Sequence, residues 1–477
     1  MQYYRLAGDC LLRGWKHLTC VLLSKKSHRI QVLDQRVFSL LTLCDGEHDL
    51  SEILFDTDNQ EILRMLEEKK IVARLDHAEP VNHEQRYQYY NNRYFSRVLW
   101  SITGRCNFQC RHCYMDAPDV KLGELPLEEL KQIANQLAEC GVFSVHLTGG
   151  EPLIRKDFWG VVDYLLSVGL SVDKIYTNGW LLTPETLNQF EQRGMRPAIS
   201  ISFDGIGWHD WMRGVQGAEQ RTIEAIQECS RRGFPVDVEM CLHRGNLPTL
   251  RETIKFLDSI GVISTKISNV VDTECWKRNA DGNELSGEAY YRAVMDYIPA
   301  FFEDGMPANV LFGSVIQLNK GSTEYNVVIE RGNREISGEK RYLCGAARFG
   351  AYITPEGRFL PCMAITSSED QDRFPLIREI GVKRCLDDSY YMNFVGNRVK
   401  DLFDRNVECA ACEYRNQCCG GCRAQAMLMN GGDLYACDNE ACFLFRNGYP
   451  DKIRKVADDA IAKYCNVNDQ SRHFVRL

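Results

Sequence analysis

Cys106-Asn107-Phe108-Gln109-Cys110-Arg111-His112-Cys113-Tyr114 places three cysteines in one short loop with the spacing CxxxCxxC. Three thiolates that face one point leave one iron of a four-iron cluster open to a further ligand. The loop follows an apolar run at residues 98–103 that predicts a strand, so we expect the thiolates at the carboxyl end of that strand. A structural zinc site is the alternative, although zinc motifs usually combine CxxC with a second pair of ligands.

The composition is that of a large globular protein. The chain has 477 residues, of which 44% are hydrophobic and 26% charged, enough for roughly two to four domains. Its net charge of -8 and pI near 5.8 argue against nucleic-acid binding. We find no membrane-spanning run and no secretory signal at residues 1–14. The 21 cysteines are therefore expected in the reducing cytoplasm, as metal ligands or core thiols.

Short apolar runs alternate with amphipathic segments between residues 97 and 304. Repeated βα units imply a parallel sheet of α/β class, with functional loops at the carboxyl ends of the strands. The predicted strands are residues 98–103, 143–147, 172–177, 198–203, 236–241 and 264–269.

A second motif, Gly149-Gly150-Glu151-Pro152, lies about one βα unit after the cysteine loop. The two motifs together resemble the signature of radical S-adenosylmethionine (SAM) enzymes. The resemblance implies a partial (β/α)6 TIM-type barrel. It also implies that Cys106, Cys110 and Cys113 hold a 4Fe–4S cluster whose open iron binds SAM.

The same resemblance implies SAM contacts at several strand ends of the barrel. Glycines let the backbone approach a ligand closely, and a guanidinium suits the SAM carboxylate. For Arg213, an arginine that caps the following helix is the alternative. The implied SAM-binding residues are Tyr114, Gly149, Gly150, Glu151, Thr177, Asn178, Ser202, Asp204 and Arg213.

Cysteines become frequent again after residue 343. Their spacing, which includes Gly357-x4-Cys362 and CxxCx5Cx3C from Cys409, resembles the SPASM domain of radical SAM peptide modifiers; a zinc ribbon is the alternative. The resemblance implies two auxiliary 4Fe–4S clusters, and therefore three clusters in all. It assigns Cys409, Cys412, Cys418 and Cys437 to one auxiliary cluster, and Cys344, Cys362 and Cys422 to the other. The fourth ligand of the second set stays open between Cys442, Cys385 and an iron without a protein ligand.

Residues 1–80 have a winged-helix pattern, for which a DNA-binding module is one interpretation. The acidic residues Glu61, Glu67 and Glu68 weaken that interpretation because they leave no basic recognition face. Residues 33–54 instead resemble the PqqD-like recognition element of ribosomal-peptide maturases. In that family the leader of a precursor peptide pairs with the edge of a three-stranded sheet.

The predicted domain organisation has six parts. They are residues 1–80, the leader-recognition domain; 81–96, a linker; 97–304, the radical SAM barrel; 305–343, a bridge; 344–442, the SPASM domain; and 443–477, a helical tail.

The resemblance implies that reductive cleavage of SAM yields a radical that removes hydrogen from an unactivated carbon. We expect oxidative modification of a ribosomally synthesised precursor peptide, by a thioether or a C–C or C–O crosslink. The expected partners are that peptide, through its leader, and an electron donor such as flavodoxin or ferredoxin, with neither nucleic acid nor membrane. The alternative is a radical SAM oxidase of another substrate, either a protein active-site residue, as in sulfatase maturases, or a tetrapyrrole side chain. A winged-helix regulator that uses clusters only as sensors is a third, non-enzymatic class.

Overall fold

Residues 1–25, 29–115, 123–271, 273–313, 315–332, 336–366 and 368–465 are described by a computed structural model. The chain divides into two units, residues 1–96 with 135–144, and residues 97–134 with 145–477.

The first unit contains two small sheets and two α-helices. Strand β1 pairs with β5, and the other sheet has the order β4–β3–β2–β6. Its core is formed by aliphatic side chains such as Leu12, Leu22, Leu41 and Leu63. The elements are β1 (Tyr3–Leu6), β2 (Cys10–Lys16), β3 (Leu18–Ser24), β4 (Ile30–Val32), α1 (Gln35–Leu43), α2 (Thr57–Glu68), β5 (Val72–Leu75) and β6 (Gln88–Arg93).

Strand β6 lies in the segment 81–96, which we expected to be a linker. It pairs in parallel with β2, so this segment adds a fourth strand to the sheet. Its buried positions, Asn92 and Arg93, are polar. The strand therefore lacks the apolar pattern by which a buried strand is predicted from sequence. Asn92 compensates for its burial because Nδ2 donates to the carbonyl oxygen of Cys140 at 2.9 Å.

The second unit begins with alternating strands and helices. Helix α5 illustrates how local sequence sets their ends, because the Thr183 side chain caps its first turn and Pro184 occupies that turn. The elements are β7 (Arg97–Ser101), α3 (Leu127–Glu139), β8 (Ser144–Thr148), α4 (Phe158–Ser167), β9 (Ser171–Thr177), α5 (Pro184–Gln192), β10 (Ala198–Ser202), α6 (His209–Arg213), α7 (Ala218–Arg231), β11 (Val236–Leu242), α8 (Leu250–Ser259), β12 (Ser264–Asn269), α9 (Glu274–Asn279), α10 (Gly287–Glu303), β13 (Asn309–Phe312), β14 (Ile316–Leu318) and β15 (Tyr325–Asn326).

The remaining elements are mostly short helices between cysteines. Helix α20 packs against α10 through Tyr291 and Tyr449, whose ring centroids are 5.3 Å apart. Of the helices in the described ranges, none combines the length and apolar character needed to span a membrane. The elements are α11 (Gly345–Phe349), β16 (Gly350–Ile353), β17 (Phe359–Leu360), α12 (Ile377–Ile380), α13 (Val382–Asp387), α14 (Ser389–Val395), α15 (Val399–Phe403), α16 (Val407–Ala411), α17 (Arg415–Cys418), α18 (Arg423–Met429), α19 (Asn439–Arg446) and α20 (Tyr449–Tyr464).

One sheet organises this unit, with the strand order β15–β14–β13–β12–β11–β10–β9–β8–β7–β16–β17. All six predicted strands are present as β7 to β12. The registers from β9 to β13 are parallel, and β16 adds a parallel strand beside β7. The predicted α/β fold, with a partial barrel-like sheet and a cysteine-rich C-terminal region, is confirmed.

Candidate active site

The loop that carries Cys106, Cys110 and Cys113 follows β7. Burial raises the pKa of Cys106 to about 12, and the charges of Cys110 and Cys113 contribute to that rise. A single zinc ion holds its thiolates roughly 3.8 Å apart, given Zn–S bonds of about 2.3 Å. Among the described residues, the one group of three ligands within 4.8 Å is His112, Asp204 and Cys241. The three loop thiols therefore do not all lie within 4.8 Å of one another, as three ligands of a single zinc ion would.

Arg111 holds this loop against helices α6 and α9. Its backbone N–H donates to Met212 O at 2.9 Å, and its Nε donates to Trp211 O at 3.0 Å. Its Nη1 donates to Asn279 O at 2.9 Å and forms an ion pair with Asp281 at 2.7 Å. The guanidinium also lies over the Trp211 ring, 4.5 Å from the centroid. These contacts fix the backbone between the second and third cysteines.

Gly149 and Gly150 lie directly beside the cysteine loop. A Cβ atom at Gly149 would lie 2.5 Å from Thr103 O, and one at Gly150 would lie 2.2 Å from Arg105 O. The Gly150 N–H donates to Thr103 O at 2.9 Å. We expected these glycines to let the backbone approach a ligand closely. In the structure they also allow the backbone of this motif to pack directly against the backbone of Thr103 and Arg105.

Glu151 connects the motif to the end of β9. Its carboxylate accepts hydrogen bonds from Thr177 Oγ1 at 2.9 and 3.0 Å, from the Asn178 backbone N–H at 2.8 Å and from the Leu153 N–H at 3.1 Å. Asn178 Nδ2 in turn donates to Asn107 Oδ1 at 2.8 Å. Three predicted SAM contacts, Glu151, Thr177 and Asn178, are thus brought together beside the loop.

Asp204 and Arg213 form a buried ion pair. Arg213 Nε lies 2.7 Å from Asp204 Oδ2, and Arg213 Nη1 donates to Cys110 Sγ at 3.7 Å. Asp204 Oδ1 accepts from the Cys241 N–H at 3.0 Å. Burial alone would raise the pKa of Asp204, but the Arg213 charge and His209 hold it well below its usual range. Arg213 therefore reaches the cysteine loop, where the resemblance placed a SAM contact.

Two histidines leave buried nitrogen atoms without a partner among the described residues. These atoms are His112 Nδ1, within the cysteine loop, and His243 Nε2, after β11. Burial lowers the pKa of His112 to about 4, and the charges of Arg213 and His243 contribute. Buried polar atoms without partners are rare in proteins. Burial lowers the pKa of His243 to about 4 as well, so both imidazoles are neutral at pH 7 and their unpartnered nitrogens fit a polar ligand such as SAM.

Sequence reasoning missed His112 and Cys241. The position of His112 inside the CxxxCxxC loop was the available signal. Cys241 carries no motif, and only the fold brings its sulfur within 4.8 Å of Asp204 and His112.

Tyr114 and Ser202, two further predicted SAM contacts, lie in different surroundings. Tyr114 hydrogen-bonds to Tyr352 on β16, whose hydroxyl also lies 2.7 Å from Ser101 Oγ. Ser202 is half-buried at the end of β10. Tyr114 therefore contacts strand β16 of the sheet.

The C-terminal cysteines approach one another in two groups. Burial, Cys422 and Cys344 together raise the pKa of Cys362 to about 12. In the other group, Cys409 Sγ lies 3.7 Å from Cys437 Sγ. Each group thus brings together cysteines that are distant in sequence, as a shared metal site requires.

Cys442 lies with the Cys409 group. Burial raises its pKa to about 11, and the charge of Cys437 contributes. The pKa of Cys409 and that of Cys418 are both raised by burial, and the charge of Cys442 adds to each. Cys385, the other open candidate, is fully buried in α13.

Comparisons with known proteins agree with this geometry. The Radical SAM superfamily model matches residues 100–257. The chain is 25% identical to the AdoMet-dependent heme synthase of Methanosarcina barkeri over 74% of this chain and 97% of that protein. It is 28% identical to the PqqA peptide cyclase of Bradyrhizobium diazoefficiens over 70% of this chain and 83% of that protein.

A solved structure extends the likeness to nearly the whole fold. Streptococcus suis SuiB bound to precursor peptide SuiA superposes with a TM-score of 0.66 and 17% identity, covering 92% of this chain and 99% of that chain. Residues 100–257 thus match the Radical SAM superfamily model, and the solved structure shows a likeness of fold across most of the chain.

Proposed function

We propose that this enzyme oxidatively modifies a ribosomally synthesised precursor peptide whose leader binds the N-terminal unit. The PqqA peptide cyclases support a peptide substrate, since the sequence match spans 83% of the Bradyrhizobium diazoefficiens enzyme. The SuiB fold, solved with a precursor peptide, supports the same substrate class. We propose that the product contains a thioether or a C–C or C–O crosslink.

The open edge of strand β4 carries this proposal. Within the described residues, β4 pairs only with β3, so its other side has no strand beside it. The Leu33 N–H donates inward to Cys20 O at 2.9 Å. Because backbone groups alternate along a strand, the N–H and C=O groups of Ile30 and Val32 point outward. The Val32 side chain is 63% exposed, so this PqqD-like edge is free to pair with a leader.

Cys106, Cys110 and Cys113 would hold the first 4Fe–4S cluster, next to the Asp204–Arg213 ion pair. When bound, cluster and SAM supply the reducing electron and the carbon-centred radical that removes hydrogen from the substrate. Arg111 keeps the loop in place, and Arg213 presents a charge near Cys110 that suits the SAM carboxylate. The remaining predicted SAM contacts are Tyr114, Gly149, Gly150, Glu151, Thr177, Asn178, Ser202 and Asp204. An external donor such as flavodoxin or ferredoxin would supply the electron.

The two C-terminal cysteine groups would hold two auxiliary 4Fe–4S clusters, for a total of three. The first set is Cys409, Cys412, Cys418 and Cys437; the second is Cys344, Cys362 and Cys422. The position of Cys442 beside Cys409 and Cys437 argues against it as the fourth ligand of the second set. The fourth ligand of the second set is then Cys385, or the fourth iron of that cluster has no protein ligand.

A tetrapyrrole oxidase is the second candidate function. The heme synthase of Methanosarcina barkeri favours it, since 97% of that protein aligns with this chain. The open β4 edge favours the peptide, because a tetrapyrrole gains nothing from an unpaired strand.

The two functions are separated by supplying both substrates to anaerobically reconstituted enzyme. We expect peptides encoded by short reading frames beside the gene to lose about 2 Da by mass spectrometry, the mass of two hydrogens removed in a crosslink. Iron coproporphyrin should remain unchanged. Porphyrin turnover without any peptide product would support the tetrapyrrole function instead.

A triple Cys106→Ala, Cys110→Ala and Cys113→Ala variant tests the radical site itself. We expect one cluster fewer and no 5′-deoxyadenosine, because three thiolates hold the SAM-binding cluster. Replacement of Cys10, Cys229 and Cys465, three thiols that are not predicted ligands, by alanine is the matched control. Continued SAM cleavage by the loop variant would rule out this site.

A further inference from the structure

Arg423 is an almost completely buried arginine within the C-terminal cysteine region. Its side chain is 1% exposed, and it follows Cys422 at the start of α18. Its Nη1 donates to Leu434 O at 2.9 Å and to Ala436 O at 2.8 Å. One nitrogen of the guanidinium therefore holds the segment that leads to Cys437.

The other two nitrogens, Nε and Nη2, are buried without any hydrogen-bond partner among the described residues. A buried guanidinium without acceptors costs several kcal/mol, so the folded protein should supply acceptors for them. Asp438 is the acidic group whose charge acts on Arg423, but its oxygens already accept from the backbone N–H groups of Cys422, Glu440 and Ala441. The carboxylate is thus already in use.

After Asp438, the groups that interact most strongly with the guanidinium charge are cysteines. Its charge interacts with Cys409, Cys418 and Cys422. The Gly420 backbone also passes close by, since a Cβ there would lie 3.7 Å from Arg423 Nη2 and 2.3 Å from Leu402 Cδ2. The positive φ of 86° and the Leu402 side chain favour glycine at this position, and the guanidinium lies at ordinary contact distance from it.

We infer that Arg423 donates N–H groups from Nε and Nη2 to sulfur atoms of the cluster held by Cys409, Cys412, Cys418 and Cys437, and raises its reduction potential. The inference rests on the proposed assignment of a cluster to these cysteines. Two of the three neighbouring cysteines belong to this set, and the third precedes Arg423 in the chain. Hydrogen bonds to sulfur and a nearby positive charge both favour the more negative, reduced cluster.

The experiment compares Arg423→Gln, Arg423→Lys and the control Arg415→Gln in full-length, anaerobically reconstituted protein. Arg415 is exposed in α17 and donates to Ala410 O at 2.9 Å. Iron content is measured first, and redox titration with electron paramagnetic resonance then gives the midpoint potentials. For Arg423→Gln we expect at least a tenfold shift toward the oxidised cluster, about 59 mV for one electron. Lysine keeps the charge but loses the forked donors, so its shift should be smaller, and the control should match the wild type.

A second readout reports the contact itself. Protein labelled with 15N-arginine should show a nitrogen coupling to the reduced cluster that disappears in Arg423→Lys. If the Arg423→Gln protein does not assemble its clusters, the midpoint potential and nitrogen coupling of Arg423→Lys decide the test. Full iron content with a wild-type midpoint and an unchanged nitrogen coupling would overturn the role of Arg423. A wild-type protein without iron at these cysteines would instead overturn the cluster assignment, which keeps the two failures distinct.

Discussion

At the scale of single residues, the Asp204–Arg213 ion pair near the cysteine loop gives the most direct test of the structure. Asp204 is 0% and Arg213 7% exposed. Removing one partner of a buried ion pair costs roughly 3–5 kcal/mol, because the other charge stays buried without compensation. We expect Arg213→Gln to lower the free energy of unfolding by that amount at neutral pH, measured by denaturant titration of cluster-free protein.

The pH dependence of that loss gives an independent check. Arg213 holds the pKa of Asp204 below its ordinary 3.8, so the stabilisation is present above about pH 4 and is lost as pH falls through the folded-state pKa. Without Arg213, burial raises the pKa of Asp204, and protonation in mild acid removes the penalty. The deficit of Arg213→Gln should therefore shrink on acidification, and adding Asp204→Asn should recover part of it. A deficit that is constant between pH 7 and pH 4 would contradict the ion-pair account.

The sequence predicted which residues meet at this site better than it predicted what each contacts. The family resemblance was sufficient to select Glu151 and Arg213 as neighbours of the cysteine loop. The hydrogen bonds from Thr177 and Asn178 to Glu151 depend on how β8 and β9 align, which no local motif encodes. His112 was missed for the opposite reason, because its local motif drew attention only to the cysteines.

At the level of elements, periodicity predicted the barrel strands and helices because their buried faces are apolar. Strands β7 to β12 were found within about two residues of their observed ends, the usual uncertainty of such boundaries. Strand β6 was missed because Asn92 and Arg93 are buried through hydrogen bonds and packing rather than apolar character. Strand β13 was missed because it lies in residues 305–343, which we expected to form a bridge between two domains.

The open edge of β4 leads to a prediction on backbone hydrogen bonding. Val32→Pro removes one outward N–H group, and proline is tolerated at a strand edge when its N–H group faces solvent. A net hydrogen bond contributes about 0.5–1.5 kcal/mol, so we expect leader affinity to fall by up to about tenfold. Val32→Ala keeps the N–H group and is the matched control.

The measurement is fluorescence anisotropy with a labelled leader peptide, and SAM cleavage without peptide should not change. Equal leader affinity for Val32→Pro and Val32→Ala would show that β4 does not pair with the leader. A weakened Val32→Ala alone would point to side-chain packing instead. This point variant is cleaner than removal of residues 1–80, which would leave β6 without its partner β2.

For the whole molecule, the family resemblance predicted how most of the C-terminal cysteines divide into two groups, but it left the place of Cys442 open. Spacing gives the type of ligand, whereas grouping depends on how short helices such as α16 and α17 turn. The position of Cys442 beside Cys409 is an example, since the spacing left it open. If all three groups hold 4Fe–4S clusters, reconstituted protein should contain about twelve irons, measured by colorimetric iron analysis, and markedly fewer would reduce the number of clusters.

The last prediction concerns the separate roles of the first cysteine loop, in SAM cleavage, and of the C-terminal cysteines, in crosslink formation. A crosslink is a two-electron oxidation, in which one electron leaves with the hydrogen atom and a second needs an acceptor. Cys412→Ala should therefore abolish or strongly reduce crosslinked peptide while SAM cleavage continues, because Cys412 lies in a different loop from Cys106, Cys110 and Cys113. Peptide mass spectrometry and the 5′-deoxyadenosine yield, taken from the same reaction, give both quantities.

The control is Cys419→Ala, which removes a thiol from the same region. Cys419 Sγ donates to Asn416 O at 3.2 Å and is not among the predicted ligands, so this variant should retain product formation. Loss of a ligand also loosens the loops that the cluster holds together, so soluble protein with normal SAM binding must be shown first. If such a Cys412→Ala enzyme still crosslinks at the wild-type rate, the auxiliary cluster has only a structural role and the second electron leaves by another route.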